Sequence, residues 1–98
     1  PVTVSANELP GMGAAVEVAA YRICLEALTN VVRHAHATAA ALTLTATADS
    51  LTIEVVDDGE TTGLWPPGTG ITSMRERASL VGGTLTAADH KVCADLPL

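Results

Sequence analysis

The stretch Tyr21–Ala37, YRICLEALTNVVRHAHA, constrains this chain more than any other, because it reads as one long helix with two unlike sides. At about 100° per residue, Tyr21, Cys24, Leu25, Leu28, Val31 and Val32 cover one broad side. Arg22, Glu26, Asn30, Arg33 and His34 crowd into roughly a third of the circle. Glu26, Asn30 and His34 follow at i, i+4 and i+8, so their side chains stack, with Arg33 beside Asn30. A carboxylate, a carboxamide, a guanidinium and an imidazole on one ridge suit a metal ion and phosphates. They equally suit the solvated face of an amphipathic helix, and the helix alone leaves both readings open.

The flanking segments predict what the helix packs on. Pro1–Ser5 alternates Val2 and Val4 with polar residues, as a short edge strand does. Asn7–Gly13 is a breaker-rich loop, and the helix is expected from Ala14 to about His36. Ala41–Ala48 and Leu51–Val56 alternate with period two around Asp49-Ser50, which predicts an antiparallel hairpin. Gly59–Gly70 holds too many Gly and Pro residues for a helix or central strand, and a loop of that length is usually functional. Ile71–Val81 predicts a second helix that buries Ile71, Met74, Ala78 and Val81, with Gly82 as its left-handed stop. Thr84–Ala87 and Val92–Leu96 predict a last hairpin around Asp89-His90. The fold class is therefore α/β (α+β). It is a two-layer sandwich with one mixed, mostly antiparallel sheet of about five strands and both helices on one face.

Length and composition bound the function. The 98 residues fit one domain, 1–98, without repeats. Phe is absent and Trp and Tyr occur once each, so the core must come from Ala, Val, Leu and Ile. A net charge of -6 argues against general nucleic-acid binding, which needs basic patches, but leaves room for a small anion at a local positive site. Cys24 and Cys93 form no CxxC pair, and reduced thiols in a cytosolic protein are expected. No apolar run is long enough to span a membrane. The chain starts without Met and stops on a strand-like segment, as a domain excised from a longer protein would.

Three features converge on one chemistry. Strand parity puts Asp57 on the face of Leu51, Ile53 and Val55, where a carboxylate needs hydrogen-bond partners. Asp58 points the other way. Gly68-Thr69-Gly70 precedes a helix, where backbone N–H groups can approach a phosphate; a plain structural turn is the competing reading. Asn30 can offer an oxygen to Mg²⁺, and Arg33 and His34 can pair with phosphate oxygens.

ExxxNxxRHA on a helix, VVDDG after a hairpin and GTGITSMRERASLVGGTL, in that order, resemble the ATP-binding catalytic domain of bacterial sensor histidine kinases. These belong to the GHKL superfamily with its Bergerat fold, and the likeness is to the subfamily paired with NarL-type response regulators. It covers nearly the whole chain. The resemblance implies ATP and Mg²⁺ as ligands, with Asn30 as the metal ligand and Glu26 as the acidic catalytic residue beside it. It implies Arg33 and His34 at the phosphates, Asp57 at adenine, and Gly59 passing close to the base. It places Gly68, Thr69 and Gly70 at the end of an ATP lid running from about Glu60 to Thr69. The implied reaction is transfer of the γ-phosphate to a histidine on a separate dimerisation domain of the same kinase, with a response regulator downstream. A cytoplasmic site is implied, with no nucleic-acid partner and no membrane contact by this segment.

The sequence departs from the pattern in two places. Thr61 stands where many relatives have a second glycine, and His90 stands where many have a Thr near the nucleotide. Those departures keep a degenerate, partner-binding domain in view. An anti-sigma-type serine kinase is a further alternative, against which the MRERA helix speaks. His34 and His36 are not expected to accept phosphate, and Trp65 is expected to cover the apolar side of its own loop.

Overall fold

The computed structural model describes residues 2–7, 11–34, 38–59, 70–88 and 90–98. The elements are β1 (Val2–Ala6), α1 (Ala14–His34), β2 (Ala40–Ala46), β3 (Ser50–Asp57), α2 (Ile71–Leu80), β4 (Thr84–Ala88) and β5 (Lys91–Pro97). The sheet order is β1-β2-β3-β5-β4. Only β1 and β2 pair in parallel; the other three ladders are antiparallel. A parallel pair needs a crossover, and α1 supplies it between β1 and β2. β3 and β4 both run antiparallel to β5, so they too point the same way, and α2 lies on the connection between them. The expected two-layer sandwich with a mixed five-stranded sheet is what the chain forms.

The core is small-residue packing between the two layers, as the absence of Phe requires. Ala19, Ile23, Ala27 and Val31 of α1 and Met74 and Ala78 of α2 meet Leu42, Leu51, Ile53, Val55, Leu85, Val92, Ala94 and Leu96 of the sheet. α2 buries the predicted face, and truncating its Met74 would cost about 2–5 kcal/mol.

The buried side of α1 differs from the sequence expectation. Tyr21, Leu25 and Val32 are exposed, and Cys24 and Leu28 are half-buried. The seam is instead Ala19, Ile23, Ala27, Asn30 and Val31, about half a turn of the wheel from Tyr21 and Leu25. Alanines let the helix axis approach the sheet and α2 closely, so backbone proximity outweighs side-chain size in choosing the buried face. The polar ridge therefore borders the core rather than opposing it.

Element ends shift modestly. β2 stops at Ala46, and the turn lies at residues 47–49 rather than at Asp49-Ser50. The Thr47 hydroxyl accepts the Asp49 and Ser50 N–H groups at 3.3 and 3.1 Å, which lets Ser50 join β3. Asn7 finishes the β1–β2 edge with its side chain, accepting the Ala46 N–H and donating to the Ala46 carbonyl, both at 2.8 Å. Gly82, at φ 81°, ends α2 as expected. Gly83 then passes so close to β5 that a Cβ would meet the Leu96 side chain at 2.8 Å. The expected extension of α1 to His36 lies outside the described residues.

Candidate functional site

The candidate site residues lie on α1, at the end of β3 and at the start of α2, and α1 packs against both of the other elements. Parity along β3 alternates buried and less buried positions, so Leu51, Ile53, Val55 and Asp57 share the core face. Asp57 is 7% exposed. Its Oδ1 accepts the Gly59 N–H at 2.8 Å and lies 3.2 Å from His90 Nδ1. Its own N–H donates to the His90 carbonyl at 2.9 Å. The partners demanded for a carboxylate at the mouth of the core are thus Gly59 and His90.

Asp58, the next residue, is exposed and turned away, as parity predicts. It ties down the segment leading into β2. The Thr38 hydroxyl donates to Oδ2, and the Thr38 and Ala39 N–H groups donate to Oδ1 at 2.8 and 2.9 Å. These bonds, the Thr38 hydroxyl foremost, lower its pKa to about 2.

Asn30 is 3% exposed, and its Nδ2 finds no hydrogen-bond partner among the described residues. An uncompensated buried amide costs about 1–3 kcal/mol. A half-turn about its last torsion exchanges Nδ2 and Oδ1, so the unpaired end can offer a donor to a phosphate or an oxygen to a cation. A hard cation such as Mg²⁺ keeps several waters and needs few protein oxygens, so a single buried carboxamide with a carboxylate one turn away fits it.

Glu26 supplies that carboxylate. It is half-buried, and its side chain occupies the space where a Cβ on Gly70 would sit. Gly70 caps α2 in the left-handed conformation, φ 80°, without a side-chain cap bond, and the first turn of α2 carries no acidic residue. A helix N-terminus favours an anion, and the Glu26 carboxylate lies against this one. The structure thus brings Glu26 of α1 to the start of α2. Arg33 is exposed in the last turn of α1, and His34 is its last residue. Gly68, Thr69, Thr61, Trp65 and the rest of the expected lid lie outside the described residues.

Sequence reasoning missed the bond between His90 and Asp57. Only half of the signal lies in the sequence, where His90 shares parity with buried Val92, Ala94 and Leu96; the partner comes from the β3–β5 register, which pairs Val56 with Lys91 and so sets Asp57 opposite His90. Arg75 does more than carry surface charge: its Nε donates to the Leu85 carbonyl at 3.3 Å and ties α2 to β4. Cys24 and Cys93 are free thiols, both with pKa values pushed up, chiefly by burial. A groove of about 450 Å³ between the start of α1 and the end of α2 is lined by Ala14, Val18, Leu80 and Val81 with Arg77. Arg77 is the one charged group among its lining residues.

No family model matches the chain. Sensor histidine kinase YxjM of Bacillus subtilis is 47% identical over 66 residues, which is 67% of this chain and 16% of that protein. The signal transduction histidine-protein kinase/phosphatase UhpB of Salmonella typhimurium is 45% identical over 74 residues, 70% of this chain and 14% of that one. The chain therefore spans about a sixth of the length of these relatives. Among solved structures, the blue-light activated histidine kinase of Erythrobacter litoralis EL346 aligns over 99% of this chain and 38% of its own, with TM-score 0.78 and 19% identity. The catalytic domain of histidine kinase ThkA aligns over 98% of this chain and 77% of its own, with TM-score 0.75 and 11% identity. At such identities the structural likeness speaks for the fold alone.

Proposed function

This chain belongs to the family of sensor histidine kinase catalytic domains, and from that premise we propose that it binds ATP with Mg²⁺ at the Asn30–Asp57 site. ATP would supply the transferable γ-phosphoryl group, and Mg²⁺ would neutralise the charge on the phosphates. Asn30 would hold the metal through its carboxamide oxygen. Glu26 orients a metal-bound or attacking group from one helical turn away. Arg33 and His34 would pair with the phosphates, and the backbone N–H groups of Gly68, Thr69 and Gly70 would donate to them. Asp57 accepts a hydrogen bond from the adenine amine, and Gly59 lets the backbone run close to the base.

In the complete protein the γ-phosphate passes to a histidine on a separate dimerisation domain, and a response regulator receives it afterwards. Residues 1–98 act as one catalytic module of that longer kinase, working in the cytoplasm. No helix among the described residues is long and apolar enough to cross a membrane. The chain's contribution to catalysis is positioning and charge neutralisation, and alone it should turn over little, because the acceptor is elsewhere.

The observation that carries this reading is the buried Asn30 with an unpaired carboxamide end. Calorimetric titration with a non-hydrolysable ATP analogue tests it. Magnesium-dependent binding that disappears in Asn30→Ala is expected. Absence of binding by the unmodified chain at millimolar nucleotide contradicts it.

A further inference from the structure

His90 closes the sheet side of the site in a way that the proposed ATP reading does not use. It lies opposite Asp57 across the β3–β5 ladder, one step beyond the Val56–Lys91 pair, and its carbonyl accepts the Asp57 N–H. Its side chain is 29% exposed, while that of Asp57 is 1% exposed. The imidazole therefore stands at the mouth and the carboxylate behind it. A carboxylate only accepts hydrogen bonds, so Nδ1 is the protonated ring nitrogen of His90. Both described donors to Asp57, Gly59 N–H and His90 Nδ1–H, converge on the same oxygen, Oδ1. Among the described residues nothing donates to Oδ2.

We propose that His90 is a positioning residue for base recognition: by pinning Oδ1 of Asp57 it fixes the carboxylate plane and leaves Oδ2 for the exocyclic amine of an aminopurine. This rests on the ATP reading of the site. Rotation about the terminal torsion would carry Oδ1 away from both donors, so the two bonds hold the carboxylate plane and lower the cost of orienting it on binding. The Gly59 N–H already opposes that rotation, and the His90 bond adds a second restraint from the sheet side.

The test separates positioning from mere support of the fold. The chain and its His90→Ala, His90→Asn and His90→Gln variants are titrated with the Mg²⁺ complexes of ATP and of purine riboside triphosphate, which lacks the 6-amino group. Folding is followed in parallel by circular dichroism. His90→Ala should weaken ATP roughly tenfold, the size of one hydrogen bond to a charged group, and leave the deamino analogue within about twofold. Asn places an N–H near the Nδ1 position and should restore most of the ATP affinity; Gln, reaching toward Nε2, should not. Equal losses for both ligands, or equal behaviour of Asn and Gln, overturn the inference, and the Asn–Gln comparison stands even where the Ala variant fails to fold. If the unmodified chain binds neither ligand, the ATP reading itself falls and takes this inference with it. If it binds both but His90→Ala changes nothing, only the role of His90 falls.

Discussion

The two walls of the proposed site differ in how their polar groups are satisfied. On the sheet wall, Asp57 receives Gly59 and His90 on one oxygen, and both partners come from the fold itself. On the helix wall, Asn30 is buried as deeply, yet one end of its carboxamide is unmet among the described residues. Strand register delivers partners automatically, because residues opposite one another on a ladder share a face. A helix saturates its own backbone and delivers nothing to a side chain at its buried edge. The sheet wall thus has its carboxylate already oriented by the fold, whereas the helix wall leaves its carboxamide end without such a hold. Asp57 and Asp58 repeat the lesson within two residues. One faces the site, and the other, exposed, anchors the Thr38–Ala39 backbone.

Predictions that break this comparison can be ranked by size. Asp57→Leu strands two donors on the sheet wall, each worth about 1–3 kcal/mol, and should lower the urea midpoint of the ligand-free protein as well as abolish nucleotide binding. An unchanged midpoint would mean that the Gly59 and His90 bonds contribute nothing to the fold. Gly70→Ala should cost less, about 1–2 kcal/mol for a non-glycine residue at positive φ, with displacement of the Glu26 side chain added. Combining it with Glu26→Ala should recover the displacement part only, so the double variant should melt above Gly70→Ala and below the unmodified chain.

The smallest effect concerns Asp58. Its folded pKa is depressed from 3.8 to about 2, so its stabilising bonds are fully present above about pH 4 and vanish as pH falls through 2. The midpoints of the unmodified chain and Asp58→Ala should therefore differ near pH 5 and converge between pH 4 and pH 2. A gap that persists at the acid end would assign the effect to packing rather than to the carboxylate.

Much of this architecture is legible from pattern. Alternation along β3 places Asp57, and the breaker-rich run before Ile71 places the start of α2, because period-two burial and glycine conformations are local properties. The buried side of α1 is not legible in the same way. Large residues such as Tyr21, Leu25 and Val32 outweigh alanines on any hydrophobicity wheel, yet Ala19 and Ala27 define the contact, because close axial approach is a tertiary property. The same misreading hid that Asn30 is buried. His90 was legible by parity but its partner was not, since the pairing of β3 with β5 joins segments separated by α2 and β4.

The asymmetry between the walls comes down to Asn30, and Asn30→Leu tests it most directly. Leu approximates the shape of Asn without the unpaired amide. Urea unfolding of both proteins is measured with and without a Mg²⁺–ATP analogue. The account predicts a ligand-free midpoint for Asn30→Leu at or above that of the unmodified chain, and no rise on adding ligand. The unmodified chain should instead gain stability with ligand concentration, by about 2.7 kcal/mol at one hundred times Kd. A variant that is strongly destabilised without ligand and still stabilised by it would show that Asn30 serves the fold and not the nucleotide.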